Sequence, residues 1–240
     1  ENVEVLRGNK ILIHQANFEN TYIRKKGQDY KKGKVLLKKG KKINARDVGL
    51  LLSSGINKIT VYRRPNVAVI ATGSELLEPK ETLKGNKIYA SSLYMLKNLL
   101  QLSGTKCIGL RIIKDDEKLI KKYIRSLKNP DIIITTGGVS VGKKDLVKGT
   151  LNKLGMLQKF WKVSIKPGKP VLYGKLKNIH IFGLPGNPVS TYVCYLLFVL
   201  ETISRMIGQK NNYIKIKKAV LLNDIVNNSS RESYYRGKYL

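Results

Sequence analysis

The chain has 240 residues, and 46 lysines and arginines against 16 acidic residues give it a formal net charge of +30. Hydrophobic residues make up 42% of the sequence, which is typical of a globular protein and excludes a wholly disordered chain. The 2 cysteines, Cys107 and Cys194, have no CxxC or histidine-rich partner, so the sequence predicts neither a disulfide scaffold nor a zinc site. We expect a reducing, cytoplasmic location.

The sequence predicts no membrane helix. Its longest apolar stretch, residues 189–200, is interrupted by polar side chains and falls short of the roughly 20 apolar residues that a span needs. Because the chain opens on Glu1 without an initiating methionine or an apolar leader, we expect a fragment or a processed chain.

The positive charge raises nucleic acid as a partner, because lysine and arginine neutralise phosphates. The lysines are nevertheless spread over the whole chain, and only residues 24–46 form a dense run. This distribution favours a solvated lysine-rich surface over a specific nucleic-acid site.

Residues 1–64 predict a partial N-terminal β-rich segment with one helix. Short apolar pieces at residues 11–13 and 35–37 stand among glycines and are typical of strands. Apolar spacing predicts a helix over residues 45–54, and a strand follows over residues 56–62.

Residues 65–208 alternate between apolar strands and amphipathic helices. Strands are predicted over residues 67–71, 107–113, 131–135, 160–165, 170–173 and 179–182. Helices are predicted from Ser91 or Ser92 to residue 102, from the cap Asp115 to residue 127, and over residues 144–154 and 188–207. This order predicts an α/β domain, a three-layer open, mainly parallel sheet with helices on both faces and ligand sites at the carboxyl ends of its strands.

The last segment, residues 213–240, is predicted to begin an incomplete C-terminal β domain. A strand is expected over residues 214–222. About thirty residues cannot close a domain alone, so this segment must pack against a neighbour.

The first loop that could bind a ligand lies between the strand ending at residue 135 and the following helix. Its backbone N–H groups can cradle a phosphate, because glycines allow close approach and the helix N-terminus is partly positive. The loop residues are Gly137, Gly138, Val139, Ser140 and Gly142. A Walker A interpretation fits G-x4-G-K, but Lys144 stands where Ser or Thr should bind Mg²⁺, which disfavours an ATPase.

Asp145 closes this loop. A carboxylate beside a phosphate cradle can hold Mg²⁺ against ligand oxygens. The same residue can equally be the N-cap of the following helix, and its spacing alone does not decide between the two.

The second loop follows the strand predicted over residues 160–165. Strand periodicity places Lys162, Ser164 and Lys166 on one face and the apolar residues Trp161, Val163 and Ile165 on the other. Paired lysines can grip an oxyanion, whereas an edge strand with solvated lysines would show the same pattern.

Two further loops follow apolar strands. One of them is either a second anion site or a rigid turn, and it consists of Pro185, Gly186, Asn187 and Pro188. The other places a carboxylate at the end of a strand and consists of Thr72, Gly73, Ser74 and Glu75. A turn at the start of a helix would have the same composition.

Three ordered motifs, residues 132–142 with Asp145, residues 161–170 and residues 183–190, closely resemble the molybdopterin molybdenumtransferase family, which includes MoeA and the gephyrin E domain. The resemblance extends to residues 24–29, 71–76 and 235–237. It implies a Mg²⁺-dependent, homodimeric enzyme of molybdenum cofactor biosynthesis that takes adenylylated molybdopterin and molybdate, inserts the metal into the dithiolene and releases AMP. A molybdopterin adenylyltransferase would act upstream.

The resemblance also implies roles for individual residues. Asp145 would act in catalysis and bind Mg²⁺, and Lys162 and Lys166 would bind the oxyanion. Molybdopterin binding would fall to Thr72, Gly73, Ser74, Glu75, Gly137, Gly138, Val139, Ser140, Gly142, Lys169, Pro185, Gly186, Asn187 and Pro188.

Four positions depart from the family pattern. Gln28 and Ser74 stand where Glu and Asp are usual, and Ala90 and Ser92 replace the usual Asp and Asn. Because three of these four changes remove a carboxylate, a non-catalytic molybdopterin-binding or scaffold module of the same fold is the alternative function.

Overall fold

The computed structural model describes residues 3–14, 23–138, 146–209 and 217–238. Its contacts divide into two compact units. One unit falls within residues 1–38 and 43–57, and the other within residues 39–42 and 58–240.

The smaller unit contains a β-hairpin and one helix. Strands β1 (Val3–Leu6) and β2 (Lys10–Ile13) pair antiparallel. Helix α1 (Ala45–Ser53) begins with a capping box, in which Asn44 and Asp47 exchange side-chain to backbone hydrogen bonds of 3.0 and 3.1 Å. The helix prediction is confirmed within one residue, whereas residues 35–37 and 56–62 are irregular rather than strands.

The larger unit is built on a six-stranded sheet in the order β6-β3-β7-β11-β10-β8. Strands β6, β3, β7 and β11 run parallel, and β10 runs antiparallel to both of its neighbours. The strands of this unit are β3 (Asn66–Thr72), β4 (Leu76–Leu77), β5 (Ile88–Tyr89), β6 (Lys106–Ile113), β7 (Ile132–Thr136), β8 (Leu157–Trp161), β9 (Ile165–Lys166), β10 (Leu172–Leu176), β11 (Ile179–Leu184) and β12 (Glu232–Ser233).

Helices cover both faces of this sheet. They are α2 (Ser91–Leu102), α3 (Glu117–Ser126), α4 (Leu146–Lys153) and a long final helix made of α5 (Pro188–Cys194), a π-helical turn (Tyr195–Val199) and α6 (Leu200–Met206). Alternate strand residues such as Val69 and Ile134 pack with α2 and the final helix, whereas Ile70 and Ile133 pack with α3 and α4. The expected three-layer, mainly parallel α/β fold is thus confirmed.

Two helix caps differ from the sequence prediction. Ala90 is the N-cap of α2 and makes no side-chain capping bond, so neither Ser91 nor Ser92 caps this helix. Asp116, not Asp115, caps α3, and its carboxylate accepts the Leu119 N–H at 2.9 Å. Because the side chains of Ser92 and Asp115 do not cap these helices, they form other hydrogen bonds at the carboxyl edge of the sheet.

The strand predicted over residues 160–165 is interrupted at Lys162, whose φ of 66° is left-handed. A left-handed residue breaks the two-residue alternation of side chains. Trp161 therefore packs against the α3 and α4 layer, while Val163 and Ile165 pack against the opposite layer. The expectation that these three apolar residues share one face is wrong.

The final helix, from Pro188 to Met206, is long and apolar enough to cross a membrane by length and composition alone. The sequence predicts a helix over residues 188–207 but no membrane span. Its fully buried side chains, including Tyr195, Val199 and Ile203, lie in the core cluster against the sheet. This packing is that of a core helix.

Beyond this helix, the described part of the strand expected over residues 214–222 is residues 217–222, which are irregular. Instead, β12 pairs parallel with β9 through Glu232 opposite Ile165 and Ser233 opposite Lys166. The C-terminal segment is therefore attached next to the second of the predicted loops.

Candidate anion-binding site at the carboxyl edge of the sheet

The predicted loops follow strands that end at the same edge of the sheet. A single row of register partners crosses β8, β10, β11, β7 and β3, through Trp161, Leu172, Gly183, Thr135 and Ile70. Because β10 is antiparallel to both β8 and β11, those two strands run in the same direction. The chain segments after β3, β7, β11 and β8 therefore leave from one edge, where ligands of open α/β sheets bind.

Two glycines form a close-fitting loop after β7. Gly137 has a φ of 83°, and a Cβ there would lie 2.4 Å from the carbonyl oxygen of Thr72. Gly138 has a φ of 63°, and its Cβ would lie 2.4 Å from Val147 Cγ2 in α4. Both the backbone conformation and the close approach require glycine at these positions.

Thr72, the last residue of β3, lies beside this loop with only 3% of its surface exposed. A Cβ on Gly138 would lie 2.7 Å from Thr72 Oγ1, so this hydroxyl faces the glycine loop. Among the described residues, Thr72 Oγ1 has no hydrogen-bond partner. A buried hydroxyl without a partner is costly, so a group in this loop that bonded the Thr72 hydroxyl would be favoured.

The loop after β11 is locked to the loop after β7. The carbonyl oxygen of Pro185 accepts hydrogen bonds from Thr136 Oγ1 at 3.2 Å and from Thr191 Oγ1 at 2.6 Å. The Gly137 N–H donates to the Leu184 carbonyl at 3.3 Å. These bonds make the Pro185–Pro188 loop a rigid turn, as one of the two sequence interpretations expected.

Two helix N-termini meet at this turn. Asn187 is the N-cap of the final helix and accepts the N–H groups of Val189 and Ser190 at 2.9 and 3.3 Å, with Pro188 in the first turn. Ser92 at the start of α2 donates to the Gly186 carbonyl at 2.9 Å. Helix N-termini are partly positive, so the rigid turn also suits an anion.

The loop after β3 carries a carboxylate. The chain passes from Gly73 into the short strand β4, so the helix-start interpretation is wrong. The Ser74 N–H donates to Asp115 Oδ2 at 3.3 Å, and Lys87 Nζ donates to the Ser74 carbonyl at 2.6 Å. A Cβ on Gly73 would lie 2.6 Å from Glu75 Oε1, so this carboxylate folds back over the loop.

Lys162 lies where β8 ends, and its Nζ atom is 4.1 Å from the centroid of the Trp161 ring. Lys148 in α4 approaches the same ring to 3.4 Å. The sequence does not single out Lys148, which lies three residues after Asp145 in the helix that follows the glycine loop.

Lys166 is the last residue of β9, and Lys169 lies in the turn that follows. The Lys166–Pro167 peptide bond is cis, and Val163 N–H donates to the Lys169 carbonyl at 2.9 Å. A Cβ on Gly168 would lie 2.6 Å from Cys194 Sγ, so the turn packs against the final helix. Both lysine side chains are exposed and retain the conformational freedom to reach an anion.

Val139, Ser140, Gly142 and Asp145 lie outside the described residues, so their roles stay predictions. Of the other predicted residues, the structure groups Thr72 with Gly137 and Gly138, and the Pro185–Pro188 turn with the starts of two helices. Residues 146–200 contain no Asp or Glu.

A protein-only metal cage is not found in the described ranges, which contain no cluster of three or more His, Cys, Asp or Glu side chains. Mg²⁺ usually takes one or two carboxylates together with substrate phosphate oxygens. The Thr72 hydroxyl and the Glu75 carboxylate are hard oxygen donors at this edge. Both are of the donor type that Mg²⁺ takes beside phosphate oxygens.

Comparison with known families gives two matches. Residues 68–205 match a family described as a probable molybdopterin binding domain. Residues 1–55 match the MoeA N-terminal region, domains I and II. The first match contains Thr72, both loop glycines, Trp161 and Asn187.

Curated relatives agree with these matches. The molybdopterin molybdenumtransferase of Haemophilus influenzae is 38% identical over 211 residues, which are 88% of this chain and 52% of the relative. The protein of the same name from Staphylococcus aureus strain COL is 34% identical over 227 residues, 94% of this chain and 54% of the relative. The chain therefore spans about half the length of the curated relatives it matches.

Solved structures show the same similarity. The molybdopterin biosynthesis MoeA protein of Pyrococcus horikoshii aligns with a TM-score of 0.70 and 32% identity, over 98% of this chain and 58% of that structure. A molybdenum cofactor biosynthesis protein of Pyrococcus furiosus aligns with a TM-score of 0.58 and 27% identity, over 77% of this chain and 56% of that structure.

Proposed function

The chain belongs to the MoeA family of proteins with a probable molybdopterin binding domain, and from this premise we propose that it acts in molybdenum cofactor biosynthesis as a molybdopterin molybdenumtransferase. Its substrates would be adenylylated molybdopterin and molybdate, and its products the metallated cofactor and AMP. We also propose that the protein is a homodimer and lies in the cytoplasm.

The observation that carries the proposal is the buried, unpartnered hydroxyl of Thr72 beside the two loop glycines. A phosphate oxygen seated in this loop would accept a hydrogen bond from Thr72 Oγ1 and from backbone N–H groups. Such a ligand would satisfy a buried polar atom that the surrounding described residues leave without a hydrogen bond.

The lysines would hold the negative charge of the reacting groups. Release of AMP breaks a phosphoanhydride bond with the addition of water, and negative charge grows on the phosphate oxygens as the bond breaks. Lys162 and Lys166 would stabilise that charge, and molybdate, itself a dianion, would be held by the same cations. Mg²⁺, when bound, supplies Lewis-acid neutralisation of the phosphate oxygens.

The start of α2 would shape the site rather than take part in the reaction. Ser92 donates to the Gly186 carbonyl and Ala90 has no side-chain oxygen, so this helix would act through its N–H groups. Glu75 and Asp145 would be the carboxylates near the phosphates, with Asp145 as the metal ligand.

The test is AMP release from adenylylated molybdopterin with Mg²⁺ and molybdate, compared in the wild type, Asp145→Asn and Thr72→Val. We expect molybdate-stimulated release that Asp145→Asn abolishes. Thr72→Val should weaken pterin binding about five-fold, by the loss of one hydrogen bond. Thr202→Val, in the C-terminal part of the final helix, removes a hydroxyl away from this edge. It should leave AMP release and pterin binding unchanged.

Saturable pterin binding without AMP release at any salt concentration would overturn the transferase and favour the non-catalytic binding module. Absence of both binding and release would overturn the proposed ligand. Release that Asp145→Asn does not reduce would contradict the metal role of that residue.

A further inference from the structure

The ring of Trp161 carries two ammonium groups. Lys148 Nζ lies 3.4 Å and Lys162 Nζ 4.1 Å from its centroid. The distance between the two Nζ atoms therefore cannot exceed the sum of these two distances. Trp161 is the last residue of β8, at the edge where the glycine loop also lies.

The position of the ring is determined by packing. Trp161 contacts the apolar cluster formed with α3 and α4, and its Nε1 atom is buried without a hydrogen-bond partner among the described residues. Lys162 is held next to it in a left-handed backbone conformation, with a φ of 66°. Lysine rarely adopts this conformation, and such strain persists where the surrounding structure imposes it.

The two lysines come from different elements, one from α4 and one from the end of β8. Like charges repel, and the aromatic ring offsets part of that repulsion by cation–π attraction. Residues 146–200, which include both lysines, contain no acidic residue. The arrangement brings two ammonium groups to one ring at this edge.

Val147, the residue before Lys148 in α4, borders the glycine loop. Its Cγ2 atom lies 2.4 Å from the position that a Cβ of Gly138 would take, and Gly138 borders Thr72 Oγ1. The helix that carries Lys148 therefore begins beside the phosphate cradle.

We propose that Lys148 and Lys162, held by Trp161, form a paired-cation clamp for a diphosphate-type anion, with Lys148 as a ligand-binding residue and Trp161 as its positioning residue. The proposal rests on the proposed function for the identity of the natural ligand, whose phosphoanhydride has this chemistry. Two point charges suit adjoining phosphates, which present several oxygens over a short distance.

The first test measures the dissociation constant of inorganic pyrophosphate by calorimetry, at low and at moderate salt. Lys148→Gln and Lys162→Gln should each weaken binding about five-fold to ten-fold, and each should lower the salt dependence. Lys118→Gln on the exposed side of α3 removes the same charge and should change binding less than two-fold. A Lys148→Gln constant equal to that of Lys118→Gln overturns the clamp.

The second test addresses Trp161. Trp161→Leu should weaken pyrophosphate binding in the wild-type background and have little effect in the Lys148→Gln, Lys162→Gln background, while Trp161→Phe, which keeps an aromatic face, should retain more binding than Trp161→Leu. Equal losses in both backgrounds would indicate a structural role alone and overturn the positioning role. Thermal unfolding of each variant identifies those that fail to fold.

The clamp and the proposed function can fail separately. Pyrophosphate binding that depends on Lys148 without any AMP release supports the clamp and overturns the transferase. Molybdate-stimulated AMP release that Lys148→Gln leaves unchanged, together with unchanged pyrophosphate binding, supports the transferase and overturns the clamp.

Discussion

Ser92 Oγ donates a hydrogen bond of 2.9 Å to the carbonyl oxygen of Gly186, a residue 94 positions away in the chain. This bond joins the start of α2 to the turn between β11 and the final helix. Thr191, which is fully buried, donates to the Pro185 carbonyl in the same turn. The turn is thus held by hydroxyls from two helices.

Ser92→Ala should destabilise the protein by about 1 kcal/mol, because the bond is part-buried and only one partner is removed. Ser91→Ala, at the exposed neighbouring position, should change stability by less than about 0.5 kcal/mol. Urea denaturation of both variants measures the difference. Equal effects would show that the Ser92 bond contributes nothing beyond local helix propensity.

Gly138→Ala and Gly149→Ala should change stability in opposite directions. At Gly138 the backbone is left-handed and the new methyl would meet Val147 and Thr72, so we expect a loss of about 2 kcal/mol or more and weaker anion binding. Gly149 lies within α4 with no atom near the position of a Cβ, so alanine should stabilise by up to about 1 kcal/mol. Denaturation curves and pyrophosphate titration of the pair test this, and a neutral Gly138→Ala would contradict the close-fitting loop.

Asp131 should stabilise the fold at neutral pH and lose that contribution in acid. It accepts two hydrogen bonds from Arg63 at 2.5 and 2.6 Å and one from the Asn66 N–H at 2.7 Å. The bond from Arg63 is the main cause that lowers the pKa of Asp131 below its usual 3.8. Because the folded pKa is depressed, the stabilisation is complete above the unfolded pKa and disappears as the pH falls through the folded value.

Asp131→Asn should therefore cost about 1 to 3 kcal/mol at pH 7, and the difference from the wild type should shrink below about pH 4. Unfolding measured from pH 7 to pH 2 checks the window. Glu232→Gln, in the C-terminal segment, serves as a control for the loss of one carboxylate. A difference from the wild type that stays constant down to pH 2 would contradict the assignment.

The two cysteines should differ in thiol reactivity. Burial raises the pKa of the Cys194 thiol to about 12, whereas Cys107 is exposed. A thiol reagent at pH 8 should therefore modify Cys107 alone in the folded protein and both residues in denaturant. Cys107→Ser should remove the native reaction entirely. Native modification of Cys194 would contradict the packing of Gly168 against its sulfur.

Several elements could be predicted because their signals are local. Apolar runs gave the positions of β3, β7 and β11, and apolar periodicity gave α2 and the final helix, each within a few residues. Glycine, proline and asparagine marked the turns at Gly137 and Asn187 for the same reason, since they encode backbone conformation directly. The similarity of ordered motifs identified the family.

Errors arose where neighbours in space overrode local preference. Ser92 has the composition of a helix cap, but the Gly186 carbonyl offers it a bond that only the folded chain brings within reach. The alternation predicted across residues 161–165 failed because Lys162 is left-handed, and nothing in the residue itself indicates this. The contact of Lys148 with Trp161 could not be predicted, because it joins a helix to the end of a strand and follows only from their packing.

The sequence by itself determined the α/β class, the family and the residue types at the carboxyl edge, because these depend on periodicity, backbone preference and motif order. Only the tertiary structure decided that Thr72 Oγ1 is buried beside Gly138 and that two lysines share the Trp161 ring. Burial and distance between elements follow from sheet order and helix packing, which are properties of the whole fold rather than of any one segment.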